Sequence, residues 1–136
     1  MSLKNIPYLV VLLFLLAAPA WAALPPLDDA ERQNESSEVF RGRIVAIYSR
    51  KRILDKERSD TEMVLEIEVE SSVKGVFTPG MRVFVKCWEA DQRPEGWVGD
   101  GGQRPWPREG ATGLFFAKES GKGVYHLLHP NGWDPD

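Results

Sequence analysis

The sequence predicts an all-β domain, a small five-stranded barrel that occupies residues 38–136. The first indication is the stretch Thr61–Gly75, in which apolar and mostly acidic side chains alternate with a period of two. The second is a series of short segments rich in β-branched and aromatic residues, separated by turns that contain Gly and Pro. The third is length, because a chain of this size buries enough surface to fold without disulfides.

Residues 1–22 have the three parts of a secretory signal peptide. Lys4 supplies the positive start, Tyr8–Leu16 is the apolar centre, and the final Ala-Trp-Ala has the small-x-small pattern that signal peptidase recognises. The alternative is an uncleaved membrane anchor. Two prolines interrupt the apolar run, however, and leave it shorter than a membrane-spanning helix requires. The sequence therefore predicts cleavage after residue 22 and export to the periplasm or the medium.

Charge and cysteine content narrow the classes of function. Removal of Lys4 leaves 16 of the 17 basic residues against 20 acidic ones, a net charge of −4. This acidic balance disfavours a general affinity for nucleic acid or for anionic membranes. Cys87 is the only cysteine, so an internal disulfide is impossible. We expect it to be a small buried hydrophobic residue; the alternative is a reactive or intermolecular thiol.

Residues 23–37 are predicted to be a flexible N-terminal segment. Two consecutive prolines keep its start extended, and Asp28 or Asp29 can cap a single helical turn through residues 30–33. The segment is polar, which is typical of a mobile tether.

Val39–Ser49 is the predicted first strand, antiparallel to Thr61–Gly75. One register brings the apolar side chains of both strands to one face and places arginine opposite glutamate on the other. In this register Gly42 faces Val69, and the missing side chain lets the strand coil as barrel closure requires. The predicted pairs are Ile44–Ile67, Ala46–Leu65, Tyr48–Met63, Arg41–Glu70, Arg43–Glu68 and Ile47–Val64.

Arg50–Asp60, the connection between these two strands, is dense in charges of both signs. Mixed charges of this kind are typical of a solvated hairpin tip, here with room for one turn of helix. The alternative is a functional one, in which the basic run at residues 50–52 contacts an acidic partner.

Met81–Trp88 is the predicted third strand, reached through turns that contain Gly75 and Pro79-Gly80. Its alternation places Cys87 on the inward face with the valines. Phe84 and Trp88 lie on the outward face, where two aromatic side chains need cover.

Glu89–Gly110 is a long segment without periodicity, rich in glycine and proline. Its tryptophans, Trp97 and Trp106, argue against disorder. In one interpretation both pack over Phe84 and Trp88 and close a mouth of the barrel. In the other, a tryptophan stands open beside Asp91, Asp100, Gln103 and Arg104 as a platform for a sugar or a peptide.

Ala111–Lys118 and Gly123–Leu128 are the fourth and fifth strands, joined by a tight polar turn. His126 and His129, the only histidines, follow a spacing that is unspecific for metal. A dyad of Cys87 and His126 is conceivable, but the predicted inward face of the cysteine counts against it. The sequence lacks a phosphate-binding glycine loop, a serine elbow and a dinucleotide fingerprint. We therefore expect no enzyme, no cofactor and no metal.

Five strands with a long excursion between the third and the fourth match the strand count of an OB-type barrel. Over residues 39–128 the chain also resembles the OB-fold domain of tissue inhibitors of metalloproteinases and its exported bacterial relatives. The resemblance lies in VFRGRIVAI, LEIEVESSVKGVFTPGMRVFV and GATGLFFAK. It implies an OB-like barrel and export. Members of that family bind the protease zinc with an N-terminal cysteine; here the expected first residue is Ala23, and the family's disulfides are missing too.

These observations predict an exported, non-catalytic β-barrel module that binds a protein. The expected contact residues are Trp97, Asp100, Arg104 and Trp106. The alternative is a carbohydrate or cell-envelope binder that uses the same tryptophans for stacking. A metal-dependent or thiol enzyme is the less expected third class. Nucleic acid is not an expected partner, because four glutamates lie in the central strand and the chain is predicted to leave the cytoplasm.

Overall fold

The structure, a computed structural model, describes residues 24–136, and the predicted signal peptide lies outside the described residues. One helix and six strands form the regular structure of this part of the chain. They are α1 (Asp29–Glu35), β1 (Glu38–Ile53), β2 (Ser59–Lys74), β3 (Arg82–Gln92), β4 (Thr112–Gly121), β5 (Val124–Leu127) and β6 (Trp133–Pro135).

The prediction of a small all-β, OB-like barrel is confirmed. The strands follow one another in the order β1-β2-β3-β5-β4-β6, and β1 also pairs with β4, which closes the first five into a barrel. All pairings are antiparallel except that of β3 with β5, which is parallel and spans only Val85–Tyr125 and Lys86–His126. The short strand β6, which the sequence did not predict, pairs with β4 on the edge opposite β1.

The alternation in β2 places its apolar side chains in the core, as predicted. Met63, Leu65, Ile67 and Val69 are buried, while the glutamates between them are at least partly exposed. Aromatic rings fill the rest of the barrel: Phe40 stacks on Phe115 and Phe115 on Trp133, with ring centroids 5.4 and 5.6 Å apart. Each large apolar side chain that is fully buried contributes about 1.5–3 kcal/mol to folding.

The predicted register is right only at the centre of the β1–β2 ladder. Gly42–Val69, Arg43–Glu68 and Ile44–Ile67 pair as expected. Beyond them, irregularities between Arg41 and Gly42 and between Ile44 and Ala46 shift the partners by one. The predicted pairs Ala46–Leu65, Tyr48–Met63, Ile47–Val64 and Arg41–Glu70 are therefore wrong; the observed ones are Ala46–Glu66, Ile47–Leu65, Tyr48–Val64 and Arg41–Ser71.

The shift beyond Ile44 coincides with main-chain bonds from this residue to the segment before β4. The main chain of Ile44 turns away from β2 to bond residues 110 and 111: its N–H donates to the Ala111 carbonyl and its carbonyl accepts from the Gly110 N–H. That contact comes from the segment before β4, so the β1–β2 pattern alone does not contain it.

The β1–β2 hairpin is longer than predicted. β1 runs to Ile53 and β2 starts at Ser59, so the solvated tip is limited to residues 54–58. There Asp55 accepts from the N–H groups of Glu57 and Arg58 and pairs with the Arg58 guanidinium at 2.7 Å. β3 likewise extends to Gln92, so a three-stranded ribbon projects from the barrel.

The N-terminal segment, predicted to be a flexible tether, carries a helix that packs against the barrel. Asp28 caps α1 as expected and forms a capping box with Glu31. Arg32 is only 6% exposed: its guanidinium pairs with Asp134 at 2.6 Å and lies 4.4 Å from the Phe116 ring centroid. Leu27 adds an apolar contact to the cluster of Val39, Phe116 and Leu128, so this mostly polar segment docks on the barrel through an arginine and a leucine. Within residues 24–136 no helix has the length and apolar character of a membrane span.

Candidate functional site

The long segment between β3 and β4 is bonded to the barrel rather than detached from it. The Ala90 N–H donates to the Gly101 carbonyl and the Gln103 N–H to the Trp88 carbonyl, both at 2.8 Å. Gly102 lies so close to β3 that a Cβ there would stand 2.5 Å from the Cα of Glu89, which only glycine permits. These bonds give the segment a fixed position along the edge of β3.

Both tryptophans of this segment are partly open to solvent. Trp97 is 42% exposed and Trp106 is 45% exposed. The interpretation in which they cover the outward face of β3 is wrong, because Phe84 remains 53% exposed and Trp88 is covered by another residue. The His129 ring stacks on Trp88 with the centroids 5.4 Å apart.

An arginine accompanies each exposed tryptophan. The Arg104 guanidinium carbon lies 5.2 Å from the Trp106 ring centroid, and that of Arg93 lies 5.6 Å from the Trp97 ring centroid. Arg93 is itself nearly buried, pairs with Asp60 and donates to the Ser59 carbonyl. The first residues of β2 thereby hold Arg93, whose guanidinium fixes the position of Trp97 through a contact of the cation–π type.

Three of the four predicted contact residues surround one pocket of about 420 Å³. Trp97, Asp100 and Arg104 line it, whereas Trp106 lies beyond Arg104 and does not. Asp100 is held from both sides, since it accepts from the Gly102 N–H at 2.9 Å and contacts His129 Nε2 at 2.6 Å. Leu24, Pro26, Ala90, Arg93, Gly99, Gly101, Gly102, Pro130 and Asn131 complete the lining.

A larger groove of about 860 Å³, which the sequence reasoning missed, lies on the projecting ribbon. Its lining comes from β1, β2, β3 and β5, and the unusual number of charges in residues 50–60 was the signal available for it. The residues are Tyr48, Ser49, Arg50, Arg52, Asp60, Glu62, Met63, Val64, Lys86, Cys87, Trp88 and His126.

Ion pairs leave this groove with a surplus of positive charge. Glu62 accepts from Arg50 at 2.6 Å and also pairs with Arg52 at 3.4 Å, and these arginines hold the pKa of the Glu62 carboxyl below its ordinary value. Asp60 forms a salt bridge with Arg93. Within the described chain Lys86 has no acidic partner. The groove therefore suits an anionic or acidic ligand.

Cys87 reaches the groove but is a poor nucleophile. Burial, with a smaller contribution from the charge of Glu89, raises its pKa to about 12, so almost no thiolate exists at neutral pH. His126 lines the same groove, yet no hydrogen bond joins it to Cys87 in residues 24–136. His129 is engaged by Asp100, and the described residues contain no group of three or more metal ligands. The arrangement offers contact surfaces rather than a nucleophile with its base.

Comparison with known proteins adds no relative to this picture. No family model matches the chain, and neither the curated proteins nor the solved structures contain a match. The resemblance to the metalloproteinase-inhibitor domain therefore stays a prediction, and a function has to be argued from this chain's own residues.

Proposed function

We propose that the chain is an exported, non-catalytic binding module whose partner is a protein. The binding surface consists of Trp97, Asp100, Arg104 and Trp106, called here the tryptophan surface. The proposal depends mainly on one observation: two half-exposed tryptophans, each beside an arginine, stand on a segment bonded to a closed barrel. Export depends on the signal-peptide pattern of residues 1–22.

The composition of this surface suits a protein interface. Tryptophan and arginine dominate binding energy at such interfaces, and a tryptophan that loses its remaining exposure there contributes strongly. Because Arg93 and the bonded main chain already hold Trp97 in place, little conformational freedom is lost on binding. The pocket beside Trp97 gives a partner side chain a place to insert.

Carbohydrate binding through the same tryptophans is the second candidate. A sugar ring stacks on an aromatic face, but two guanidinium groups approach the ring of Trp97, Arg93 at 5.6 Å and Arg58 at 5.7 Å. They compete with a sugar for that ring, whereas a protein partner can contact the tryptophan edge and the arginines together. This difference favours a protein.

The resemblance to metalloproteinase inhibitors extends only to scaffold and export in our proposal. The inhibitory chemistry of that family needs an N-terminal cysteine, and the predicted start of the exported chain is Ala23, with no cysteine before Cys87. We therefore assign no inhibitory role to the N-terminus.

The test is affinity capture from the native periplasm or medium with the purified chain 23–136. The Trp97→Ala and Trp106→Ala variants should lose a protein that the wild type retains, while Phe84→Ala, which removes an exposed aromatic elsewhere on the barrel, should keep it. A glycan array with the same variants decides between the two candidates. If capture is unchanged in both tryptophan variants, or only glycan signals respond to them, the protein-binding proposal is wrong.

A further inference from the structure

The far half of β1 has a neighbouring strand on one side only. Its first half lies between β2 and β4, but the pairing with β4 ends at Arg43. From Tyr48 to Ile53 only β2 accompanies it within the described chain. We call residues 48–53 the free edge. An edge of this kind presents unpaired main-chain groups to any extended chain that approaches it.

The direction of these main-chain groups follows from the ladder. In an antiparallel pair, successive residues point their N–H and C=O groups alternately toward and away from the partner strand. The Ile47 N–H points away from β2, because it donates to a side chain outside the sheet. The register then runs without a shift to Ile53. The main-chain N–H and C=O groups of Ser49, Lys51 and Ile53 therefore also point away from β2.

The outward donor next to the free edge is already bonded to a carboxylate of this chain. The first outward donor, the Ile47 N–H, is occupied by the carboxylate of Glu109 at 3.0 Å. Within residues 24–136, no turn, loop or side-chain acceptor bonds the N–H groups of Ser49, Lys51 and Ile53. An acidic side chain thus blocks the edge where the barrel ends, and the next outward donors remain open.

The side chains of the free edge have an alternating character. Arg50 and Arg52 lie on the groove side and share a single acidic partner, Glu62. Lys51 points to the opposite face, where it approaches Asp91 at 3.5 Å, and Ile53 on that face is 67% exposed. A complementary strand would carry acidic residues on the groove side and apolar residues on the other.

We propose that the free edge binds an extended acidic segment of a partner protein by strand addition. The segment pairs its main chain with Ser49, Lys51 and Ile53, and every second side chain, a carboxylate, faces Arg50 and Arg52 in the groove. This site is separate from the tryptophan surface and does not depend on the function proposed for it. A second copy of the chain is a poor occupant, because two-fold pairing of this edge sets arginines opposite arginines.

The first experiment titrates the purified, ¹⁵N-labelled chain 23–136 with an end-capped octapeptide that alternates Glu and Val. Amide shifts should move at Ser49, Lys51 and Ile53. An octapeptide of alternating Lys and Val should bind at least about tenfold more weakly, because it repels the arginines. Absence of shifts at these amides up to about 1 mM peptide, or equal binding of the two peptides, overturns the proposal.

The second experiment separates strand addition from simple charge attraction. N-methylation of alternate residues of the Glu-Val peptide keeps every charge but removes the main-chain donors of one edge, and should weaken binding by about tenfold. In the protein, Lys51→Pro removes an outward N–H without breaking the ladder to β2 and should weaken binding similarly. Its control, Lys51→Gln, keeps that N–H and should change affinity less than about threefold. Strand addition is refuted if the N-methylated and the unmodified Glu-Val peptides bind with equal affinity. It is also refuted if Lys51→Pro and Lys51→Gln bind the peptide equally well.

Discussion

Closure of the barrel brings two strands so close at Gly42 that any side chain there must displace its surroundings. A Cβ at this position would stand 2.7 Å from Cγ2 of Ile67 and 2.8 Å from the carbonyl oxygen of Glu68. The isoleucine can rotate, but the carbonyl belongs to the β2 ladder and moves only with the strand. Overpacking of this kind costs about 1–3 kcal/mol.

Gly42→Ala should therefore lower the midpoint of thermal unfolding by about 4–12 °C, at roughly 4 °C per kcal/mol for a domain of this size. The matched control is Gly121→Ala in β4, where an added Cβ meets nothing within 4 Å. It should stay within about 0.5 kcal/mol of the wild type or be slightly more stable. Differential scanning calorimetry of the wild type and the two variants measures the three unfolding midpoints. If Gly42→Ala has the same unfolding midpoint as the wild type, β1 and β2 do not approach each other as closely as described.

Three further outcomes follow from single residues. Arg32→Met should lower the free energy of unfolding, measured in urea, by about 1–3 kcal/mol, because it removes the guanidinium contacts with Asp134 and the Phe116 ring. Unchanged stability would show that α1 is not docked. Cys87 should react with a disulfide reagent more than about a hundredfold faster in urea than in the native chain, because burial raises its pKa to about 12; equal rates would refute that burial. Burial raises the pKa of the Glu89 carboxyl too, so the folded state favours its protonated form and loses stability as pH rises above the ordinary value of 4.5. Glu89→Gln should hence gain stability at pH 7.5 but not near pH 4, and an equal effect at both pH values would contradict this.

Short-range patterns were sufficient to predict the barrel. The period of two in β2 identified the buried face correctly, since each side chain's face depends only on its position along the strand. The central pairs, including Ile44–Ile67, followed from the same rule. The bulge after Ile44 could not be predicted this way, because the bonds to residues 110 and 111 that accompany it come from chain more than sixty residues away.

The candidate site was predictable in part. Composition singled out Trp97, Asp100 and Arg104, which the structure brings to one pocket. Exposure of the tryptophans was not predictable, because it depends on Arg93 and on how the segment lies along β3. The free edge of β1 was hidden for another reason: the mixed charges of residues 50–60 are typical of a solvated tip, although half of the charged residues belong to paired strands.

Photo-crosslinking from one exposed position tests the central claim, a protein partner on the tryptophan surface, most directly. Val98, next to Trp97 and 70% exposed, is replaced by p-benzoylphenylalanine, and a second protein carries the same group at Lys122 in the β4–β5 turn. In the native periplasm or medium we predict a protein adduct from position 98 only, abolished by excess unlabelled wild type but not by excess Trp97→Ala. Equal adducts from both positions, or none from position 98, would contradict the account.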